Sequence, residues 1–420
     1  MDTAARSGFL DIVKYLHENR TEGCTTRAMD YAAEKGHLEI VKYLHENRTE
    51  GCTTETMDCA AEFGCLDIVK YLHENRTEGC TIKAVSSASK NGHLEIIKFL
   101  HENQAKGYLS CPTDFYFLPS CFTEPMDIAA RCGYLDIVKY LNESYTLDCT
   151  KNAMDDAAMN GHLDIVMYLH ENRKEGCTTN TMDDAARIGY LNIVKYLDEN
   201  RAEGCTKYAI SYAAKNGHLN IVKYLFENRS ERDIPQAISA AANHGHFDII
   251  KYLHEKQTQK CSLVHSNVFP SSKEINAERG CLTQAMDNAA FNGYMDIVKY
   301  LHENCNKGCT TDAMDDAAAA GHLNIVKYLH ENRKEGCTTE AMNRAAENGH
   351  LDIVKYLHEN RTEGCTTKGI DCAAAYDHLD VVEYIKENCI SVFSDHENYD
   401  DYDHIYDYYD DNDSIDQYCP

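Results

Sequence analysis

The chain has 420 residues, of which 41 are Lys or Arg and 68 are Asp or Glu, so its formal charge at pH 7 is −27. So acidic a chain is poorly suited to nonspecific binding of a nucleic-acid backbone. An apolar fraction of 43% without a long apolar run argues against both a largely disordered chain and a membrane-spanning helix. The first ten residues lack the apolar core of a secretory signal, so we expect a cytoplasmic, or alternatively nuclear, protein whose twenty cysteines are thiols.

A repeat with a period of 28 residues runs through the chain, and its clearest mark is a Gly-x-apolar turn such as Gly36-His37-Leu38. The turn glycines are Gly8, Gly36, Gly64, Gly92, Gly133, Gly161, Gly189, Gly217, Gly245, Gly293, Gly321 and Gly349. Asp377 replaces the glycine in the last copy, which makes thirteen copies. Two spacings exceed the period, by 13 residues after Gly92 and by 20 after Gly245, so the copies are grouped as four, five and four.

Each copy predicts two helices joined by this turn, because the apolar residues on both sides of it recur at helical spacing. In the second copy they are Met29, Ala32 and Ala33 before the turn, and Leu38, Ile40, Val41 and Leu44 after it. Thr25 and Thr26 precede the first helix and are expected to cap it, and Asp30 lies where the helix dipole favours an anion. Asn47 and Gly51 are expected to end the second helix.

The segment from Ala32 to Leu44, AAEKGHLEIVKYL, resembles the two-helix core of the ankyrin repeat, and the match extends from Met1 to about Asn388. The resemblance implies an all-α solenoid of about thirteen stacked helix-turn-helix repeats, with a concave surface formed by the inner helices. The repeat is about five residues shorter than the ankyrin period of 33. The missing residues fall between Arg48 and Thr54, so the β-fingers are predicted to be truncated. Arg27-Ala28-Met29-Asp30 also replaces the family's Thr-Pro-Leu-His.

The repeat spacing predicts six segments. Repeats 1 to 4 occupy residues 1–102, an insertion loop 103–124, repeats 5 to 9 residues 125–255, a second insertion loop 256–284, repeats 10 to 13 residues 285–388, and an acidic tail 389–420. The first insertion contains Phe115, Tyr116 and Phe117, interpreted either as partner anchors or as a flap that packs back on the repeats. The second is expected to be a flexible loop. Residues 395–420 contain ten acids and no Lys or Arg, which predicts disorder.

Cysteines and histidines recur at fixed positions of the repeat, such as Cys24, His37 and His45. Equivalent positions in stacked repeats lie about 8 to 10 Å apart, whereas a disulfide needs Cα atoms within about 7 Å and metal ligands converge at about 2 Å. We interpret the cysteines as a buried column between repeats, the histidines after the turn glycine as hydrogen-bonding groups of the turn, and those ending the second helix as packing groups. No metal site, cofactor or catalytic residue is predicted.

The two residues before each turn glycine vary most among the copies, and they end the helix that the resemblance places on the concave surface. The predicted partner-binding residues are Glu34, Lys35, Glu62, Phe63, Lys90, Asn91, Arg131, Met159, Asn160, Arg187, Ile188, Lys215, Asn243, Phe291, Asn292, Glu347 and Tyr376. Phe63, Ile188, Phe291 and Tyr376 are the expected exposed anchors. Neutral drift at solvated positions is the alternative interpretation of this variation.

The leading functional hypothesis is a non-catalytic protein-protein interaction scaffold that binds a protein or peptide on the concave surface. Nucleic acid, membrane and small-molecule partners are not expected. The alternative hypothesis is a regulator in which the acidic tail engages a basic protein partner.

Overall fold

The structure is a computed structural model that describes residues 1–20, 23–103, 120–144, 149–263, 272–304 and 308–389, without the side chains of 120–124, 259–263 and 272–281. It contains two compact units, Met1–Asp233 and Ile234–Pro420. The described residues of both units form helices and no strands, so the predicted all-α class is confirmed. Thirteen helix pairs are present in this part of the chain, one for each predicted repeat.

The first unit contains eight helix pairs in its described residues. They are α1 (Asp2–Arg6) with α2 (Leu10–Asn19), α3 (Arg27–Glu34) with α4 (Leu38–Asn47), α5 (Thr54–Glu62) with α6 (Leu66–Asn75), α7 (Ile82–Asn91) with α8 (Leu94–Glu102), α9 (Ser120–Cys132) with α10 (Leu135–Ser144), α11 (Lys151–Met159) with α12 (Leu163–Asn172), α13 (Thr179–Ile188) with α14 (Leu191–Asn200), and α15 (Ala209–Lys215) with α16 (Leu219–Asn228).

The second unit contains five pairs in its described residues. They are α17 (Ile234–Asn243) with α18 (Phe247–Leu263), α19 (Ser272–Phe291) with α20 (Met295–Asn304), α21 (Asp312–Ala319) with α22 (Leu323–Asn332), α23 (Thr339–Glu347) with α24 (Leu351–Asn360), and α25 (Thr367–Ala375) with α26 (Leu379–Asn388).

The odd-numbered helices, called inner helices below, make the main contacts between repeats. In the first unit each packs on the next from α1 to α15, and in the second unit from α17 to α25; the even-numbered, outer helices contact one another more sparsely. The inner helices approach closely because alanines such as Ala28, Ala32 and Ala33 face the seam and are fully buried. Outer-helix residues such as Ile40 and Leu44 complete the core at 2% exposure or less. Burying each of these larger side chains contributes about 1.5 to 3 kcal/mol.

The turn within each pair requires a left-handed residue. Gly36 has φ 77°, its N–H donates to the Ala33 carbonyl at 3.2 Å, and the His37 N–H donates to the Ala32 carbonyl at 2.8 Å. This is the expected glycine termination of a helix. Asp377 holds the same conformation at φ 62°, and among the described residues it is the one non-glycine with positive φ.

An aspartate of most inner helices joins consecutive repeats, and Asn343 takes its place in α23. The Asp58 carboxylate accepts hydrogen bonds from the Thr81 N–H at 2.8 Å and the Thr81 hydroxyl at 2.6 Å. The same hydroxyl accepts from the Lys83 N–H at 3.2 Å and so caps α7. The arrangement recurs at Asp127–Thr150, Asp155–Thr178, Asp183–Thr206, Asp287–Thr310 and Asp315–Thr338. The sequence interpretation of this aspartate as a helix-dipole anion missed its main role, because its partner lies 23 residues away.

Helices extend into both predicted insertion loops. α9 begins at Ser120, inside segment 103–124, while α18 continues to Leu263 and α19 begins at Ser272, inside segment 256–284. Part of each segment predicted as a loop is therefore helical. α18 continues because Lys256 and Lys260 stand where other copies have the helix-ending Asn and Gly. The predicted anchors Phe115, Tyr116 and Phe117 and the acidic tail from residue 390 lie outside the described residues.

Candidate functional site

The predicted partner-binding residues lie at the C-terminal ends of the inner helices, on the side turned away from the buried alanines. We call the solvent-accessible inner-helix residues of Met1–Asp233 the first inner-helix surface and those of Ile234–Pro420 the second. In α3 this side carries Arg27 and Lys35, both exposed, and Glu34, half-buried. The equivalent positions of the other described copies also reach solvent, except Ala319, which is buried.

Apolar side chains stand out on the first inner-helix surface. Phe63 is 50% exposed and Met159 is 39% exposed. The Lys35 ammonium lies 5.4 Å from the centre of the Phe63 ring, so residues of adjacent repeats touch on this surface. Exposed groups of this kind are the ones that bury area against a partner and anchor it.

Two tyrosines of α15 and its cap also belong to the first surface, and they were missing from the sequence prediction. Tyr208 is 45% and Tyr212 39% exposed, and their ring centroids are 6.3 Å apart. The Lys207 ammonium lies 5.1 Å from the Tyr208 ring centre. The signal was present, because Tyr208 replaces a charged or amide residue at its repeat position in most copies. The predicted site was restricted to the two residues before each turn glycine and so omitted this position.

Charged residues of the first surface are largely paired with one another. Arg131 Nε lies 3.0 Å from Asp156 Oδ2 of the next repeat, and Arg187 Nη2 lies 3.0 Å from Asp184 Oδ1. Such solvent-accessible pairs stabilise a fold by about 0 to 1 kcal/mol each. A partner can therefore replace them at little cost, which makes these charges available for recognition.

The second inner-helix surface has a different composition. Phe291 is 46% and Tyr376 62% exposed. Between them in sequence, Arg344 pairs with Asp316 of the preceding repeat. Near Phe291, the Asn292 amide donates to the Asn243 side-chain oxygen at 3.1 Å. This surface therefore combines two apolar groups with an amide pair and an ion pair.

Exposure differs among the other predicted residues. Lys90, Asn91, Asn160, Lys215 and Asn243 are exposed, whereas Glu62, Arg187, Ile188, Asn292 and Glu347 are half-buried. Ile188, which was expected to be an exposed anchor, is therefore only partly accessible. Helix α13 includes Ile188 and ends at Gly189 with φ 110°, whereas α5 ends at Glu62 and leaves Phe63 as its C-terminal cap.

Histidines after the turn glycine hold the ends of the helices that carry these residues. His93 Nε2 bonds the Glu62 carbonyl at 3.1 Å, and His218 Nε2 bonds the Arg187 carbonyl at 3.2 Å. The carbonyl acceptor assigns the proton to Nε2 in both rings. The predicted hydrogen bond of this histidine exists, but it reaches the preceding repeat rather than its own turn. The main chain beneath the site is consequently fixed.

The second histidine column also joins repeats. The His17 ring packs edge-on against Tyr43 with centroids 5.8 Å apart, and its Nδ1 accepts from Arg48 at 3.3 Å. Arg48 also pairs with Glu50, and this pairing lowers the Glu50 pKa. The side chains of this column bond to one another between repeats, so we assign them a structural role.

Six described members of the cysteine column are buried as predicted, whereas Cys24, Cys52 and Cys365 are half-buried. Cys80, Cys177 and Cys337 are 8% exposed or less. Burial raises the pKa of Cys80 to about 12 and that of Cys337 to about 11, so these thiols are not ionised at neutral pH. In the described part of the chain, no group of three or more His, Cys, Asp or Glu side chains is arranged to hold a metal ion.

None of the described helices is both long enough and apolar enough to cross a membrane. A search of curated proteins gave no match. One solved structure that aligns with this chain is the pentatricopeptide repeat protein PPR10 from maize, with 9% sequence identity and a TM-score of 0.34. The alignment covers 92% of this chain and 62% of that protein. A similarity this low indicates neither a shared fold nor a shared function.

Two family models match most of the sequence. Ankyrin repeats (3 copies) match residues 56–155, 87–183, 126–208, 182–263, 210–315, 284–368 and 314–396, and ankyrin repeats (many copies) match residues 1–47. Ankyrin repeats are in general protein-protein interaction scaffolds. Together with the thirteen helix pairs, these matches show that the chain belongs to the ankyrin-repeat family.

Proposed function

We propose that the chain is a non-catalytic scaffold whose inner-helix surfaces bind a protein or peptide partner. In the ankyrin family the inner helices line the concave side, where a partner meets several repeats at once. The observation that carries the proposal is the set of large apolar side chains exposed there, Phe63, Met159, Tyr208 and Tyr212 in the first unit. An apolar side chain held in water gains free energy when a partner buries it.

The scaffold beneath this surface supports the same interpretation. The His93 bond to the Glu62 carbonyl fixes the end of α5, and the Asp58–Thr81 pair fixes the start of α7. A rigid surface loses little conformational entropy on binding, so more of the contact energy appears as affinity. The inner-helix surface thus joins a rigid main chain to side chains that vary among copies.

Met159 and Met167 provide a matched test, since both are 39% exposed and belong to the same repeat. Met159 ends the inner helix α11, whereas Met167 lies in the outer helix α12. A photocrosslinking amino acid placed at position 159 of the full chain should capture a partner in native lysate, and the same group at position 167 should not. Capture at both positions alike would refute binding on the inner-helix surface.

The captured partner then allows a quantitative test. Met159→Ala and Phe63→Ala should each weaken binding about tenfold or more, while Met167→Ala should leave affinity unchanged. The acidic-tail hypothesis predicts another result. Deleting residues 395–420 would abolish binding in that case, and both methionine substitutions would have no effect.

A further inference from the structure

One position of the repeat is mostly cationic in repeats 4 to 8. It is the second residue before the turn glycine, near the C-terminal end of each inner helix. In chain order it holds Lys90, Arg131, Met159, Arg187 and Lys215, which we call the cationic column. Arg187 is half-buried and the other four side chains are exposed. Their helices α7, α9, α11, α13 and α15 pack on one another in that order, so the column runs across five consecutive repeats.

The other repeats have no such run of cations at this position. Repeats 2 and 3 have Glu34 and Glu62 there. The second unit has Asn243, Phe291, Ala319, Glu347 and Ala375. In the first unit, seven of the eight outer helices carry more acids than lysines. The cationic column is therefore a local exception on a chain of charge −27, and such a patch favours an anionic partner.

Two cations of the column also contact aspartates. Arg131 Nε lies 3.0 Å from Asp156 Oδ2, and Arg187 Nη2 lies 3.0 Å from Asp184 Oδ1. A guanidinium has five donors, so a partner carboxylate can bond the same arginine while the aspartate stays in place. The two aspartates disfavour a nucleic acid, because its backbone carries a charge at every nucleotide and would be repelled beside them. A peptide can carry acids only where a cation faces it.

The spacing of the repeats selects the conformation of a peptide that can meet the whole column. Packed helices lie about 8 to 10 Å apart, so the column presents one group at about that interval. A polyproline II peptide has three residues per turn and rises about 3.1 Å per residue, which places every third side chain on one face at intervals of about 9 Å. An α-helical peptide would need about six residues per repeat, and six residues are not a whole number of its turns. A polyproline II peptide with its recognised residues at every third position therefore fits the column.

We propose that repeats 4 to 8 bind an acidic peptide segment of a partner protein in the polyproline II conformation. Along one face this segment reads acid, acid, apolar, acid, acid, with two other residues between neighbours. The acids face Lys90, Arg131, Arg187 and Lys215, and the central apolar residue packs on Met159, which is 39% exposed. The inference rests on the proposed function, because it names the class of partner that the first inner-helix surface binds.

Fluorescence anisotropy of fluorescein-labelled peptides with the full chain tests the proposal. The matched probe has thirteen residues, with glutamate at the first, fourth, tenth and thirteenth, leucine at the seventh, and proline or serine elsewhere. A displaced probe has the same composition but glutamate at the first, third, eleventh and thirteenth, so two of its acids leave the common face. We expect the displaced probe to bind at least about tenfold more weakly than the matched probe, and a probe with lysine in place of glutamate not to bind.

Lys215→Glu and Lys195→Glu reverse the same charge at two exposed positions of neighbouring repeats. Lys215 belongs to the column, whereas Lys195 lies in the outer helix α14. We expect Lys215→Glu to weaken binding of the matched probe at least about tenfold and Lys195→Glu to leave it unchanged, with the same far-ultraviolet circular dichroism in both. Lys90→Glu, at the other end of the column, should act as Lys215→Glu does.

Charge reversal in the probe tests for direct contact. Of two further probes, with lysine at the first or at the last position, one should bind the Lys215→Glu chain more tightly than the matched probe does. Failure of the matched probe to bind the native chain, or equal binding of the matched and displaced probes, would overturn the proposal. So would equal effects of Lys215→Glu and Lys195→Glu, or binding of oligothymidine as tight as that of the matched probe.

The proposed function is judged separately, by photocrosslinking at positions 159 and 167. Capture at position 159 of a segment that lacks acids at every third position would overturn this inference alone. Equal capture at both positions would refute binding on the inner-helix surface itself.

Discussion

The bond between Thr310 and Asp287 offers the sharpest test of how the repeats are held together. The Thr310 hydroxyl donates to Asp287 Oδ2 at 3.0 Å and accepts from the Asp312 N–H at 3.1 Å, so it serves the preceding repeat and the cap of α21 at once. The next residue, Thr311, makes no side-chain capping bond although it lies at the same helix start. Thr310→Ala and Thr311→Ala are thus the same chemical change at adjacent positions.

The magnitude follows from what each hydroxyl contacts. Loss of a helix cap costs about 1 kcal/mol, and loss of a hydrogen bond to a carboxylate costs about 1.5 to 3 kcal/mol. Asp287 is 4% exposed, so water cannot replace the lost donor. Both losses involve one oxygen and are not additive, so Thr310→Ala should lower the free energy of unfolding by about 2 to 3 kcal/mol. Thr311→Ala should change it by less than about 0.5 kcal/mol.

The assay is urea unfolding at neutral pH, followed by far-ultraviolet circular dichroism. Repeat arrays unfold in parts when one interface weakens, so hydrogen exchange of the α21 amides should accompany it. Exchange should accelerate in the second unit with Thr310→Ala only. Equal effects of the two substitutions would refute the assignment of the Asp–Thr bond as a main inter-repeat contact.

Four further substitutions test one buried carboxylate and three positions with positive φ. Burial raises the pKa of Asp183 in the folded state. Between the unfolded-state pKa of about 4 and the folded-state pKa, the folded chain therefore binds more protons than the unfolded chain, and its stability falls as the pH rises. Asp183→Asn should gain stability relative to the native chain over that rise, as measured by urea unfolding at several pH values. Asp377→Gly should raise the free energy of unfolding by about 0.5 to 1 kcal/mol because φ is 62° there, and a decrease in thermal melting temperature would contradict this. Gly79 and Gly133 both have positive φ. An added Cβ meets nothing within 4 Å at Gly79 but lies 2.5 Å from the His162 ring at Gly133. Gly79→Ala should therefore lower the free energy of unfolding by roughly 1 kcal/mol, and Gly133→Ala should lower it clearly more in the same melts.

Much of the fold could be predicted because each position of the repeat occurs in many copies of the sequence. Helical spacing identified Met29, Ala32 and Ala33 as core, and these are 2% exposed or less. A single copy of 28 residues would leave those patterns ambiguous, whereas thirteen copies fix them. The turn glycine was identified for the same reason, and its φ of 77° at Gly36 is the conformation that the pattern requires.

What could not be predicted depends on the geometry between repeats. The column of Asp and Thr is visible in the sequence, but nothing local shows that Asp58 reaches Thr81 of the next repeat. The extension of α18 past Lys256 was missed for a simpler reason. The 20 extra residues between Gly245 and Gly293 were expected to form a flexible loop, and the absence of the Asn and Gly stop signals was not considered. The contact between Asp58 and Thr81 joins two repeats and has no local sequence signal, and the extension of α18 lies where the repeat pattern is interrupted.

Site prediction was limited in a related way. Variation among copies correctly led to exposed Phe63 and Phe291. It cannot separate an exposed from a half-buried position at the same register, as Ile188 shows. Tyr208 and Tyr212 were missed because the prediction covered only the two positions before the turn glycine.

The central claim is that partner binding uses the inner helices and leaves the outer helices free. Hydrogen exchange of the chain with and without its captured partner measures this directly, with α5 and α11 compared against α6 and α12 of the same repeats. We expect slower exchange in the last turns of α5 and α11 upon binding and unchanged exchange in α6 and α12. Protection confined to the outer helices, or no protection in the repeats while binding persists, would contradict it.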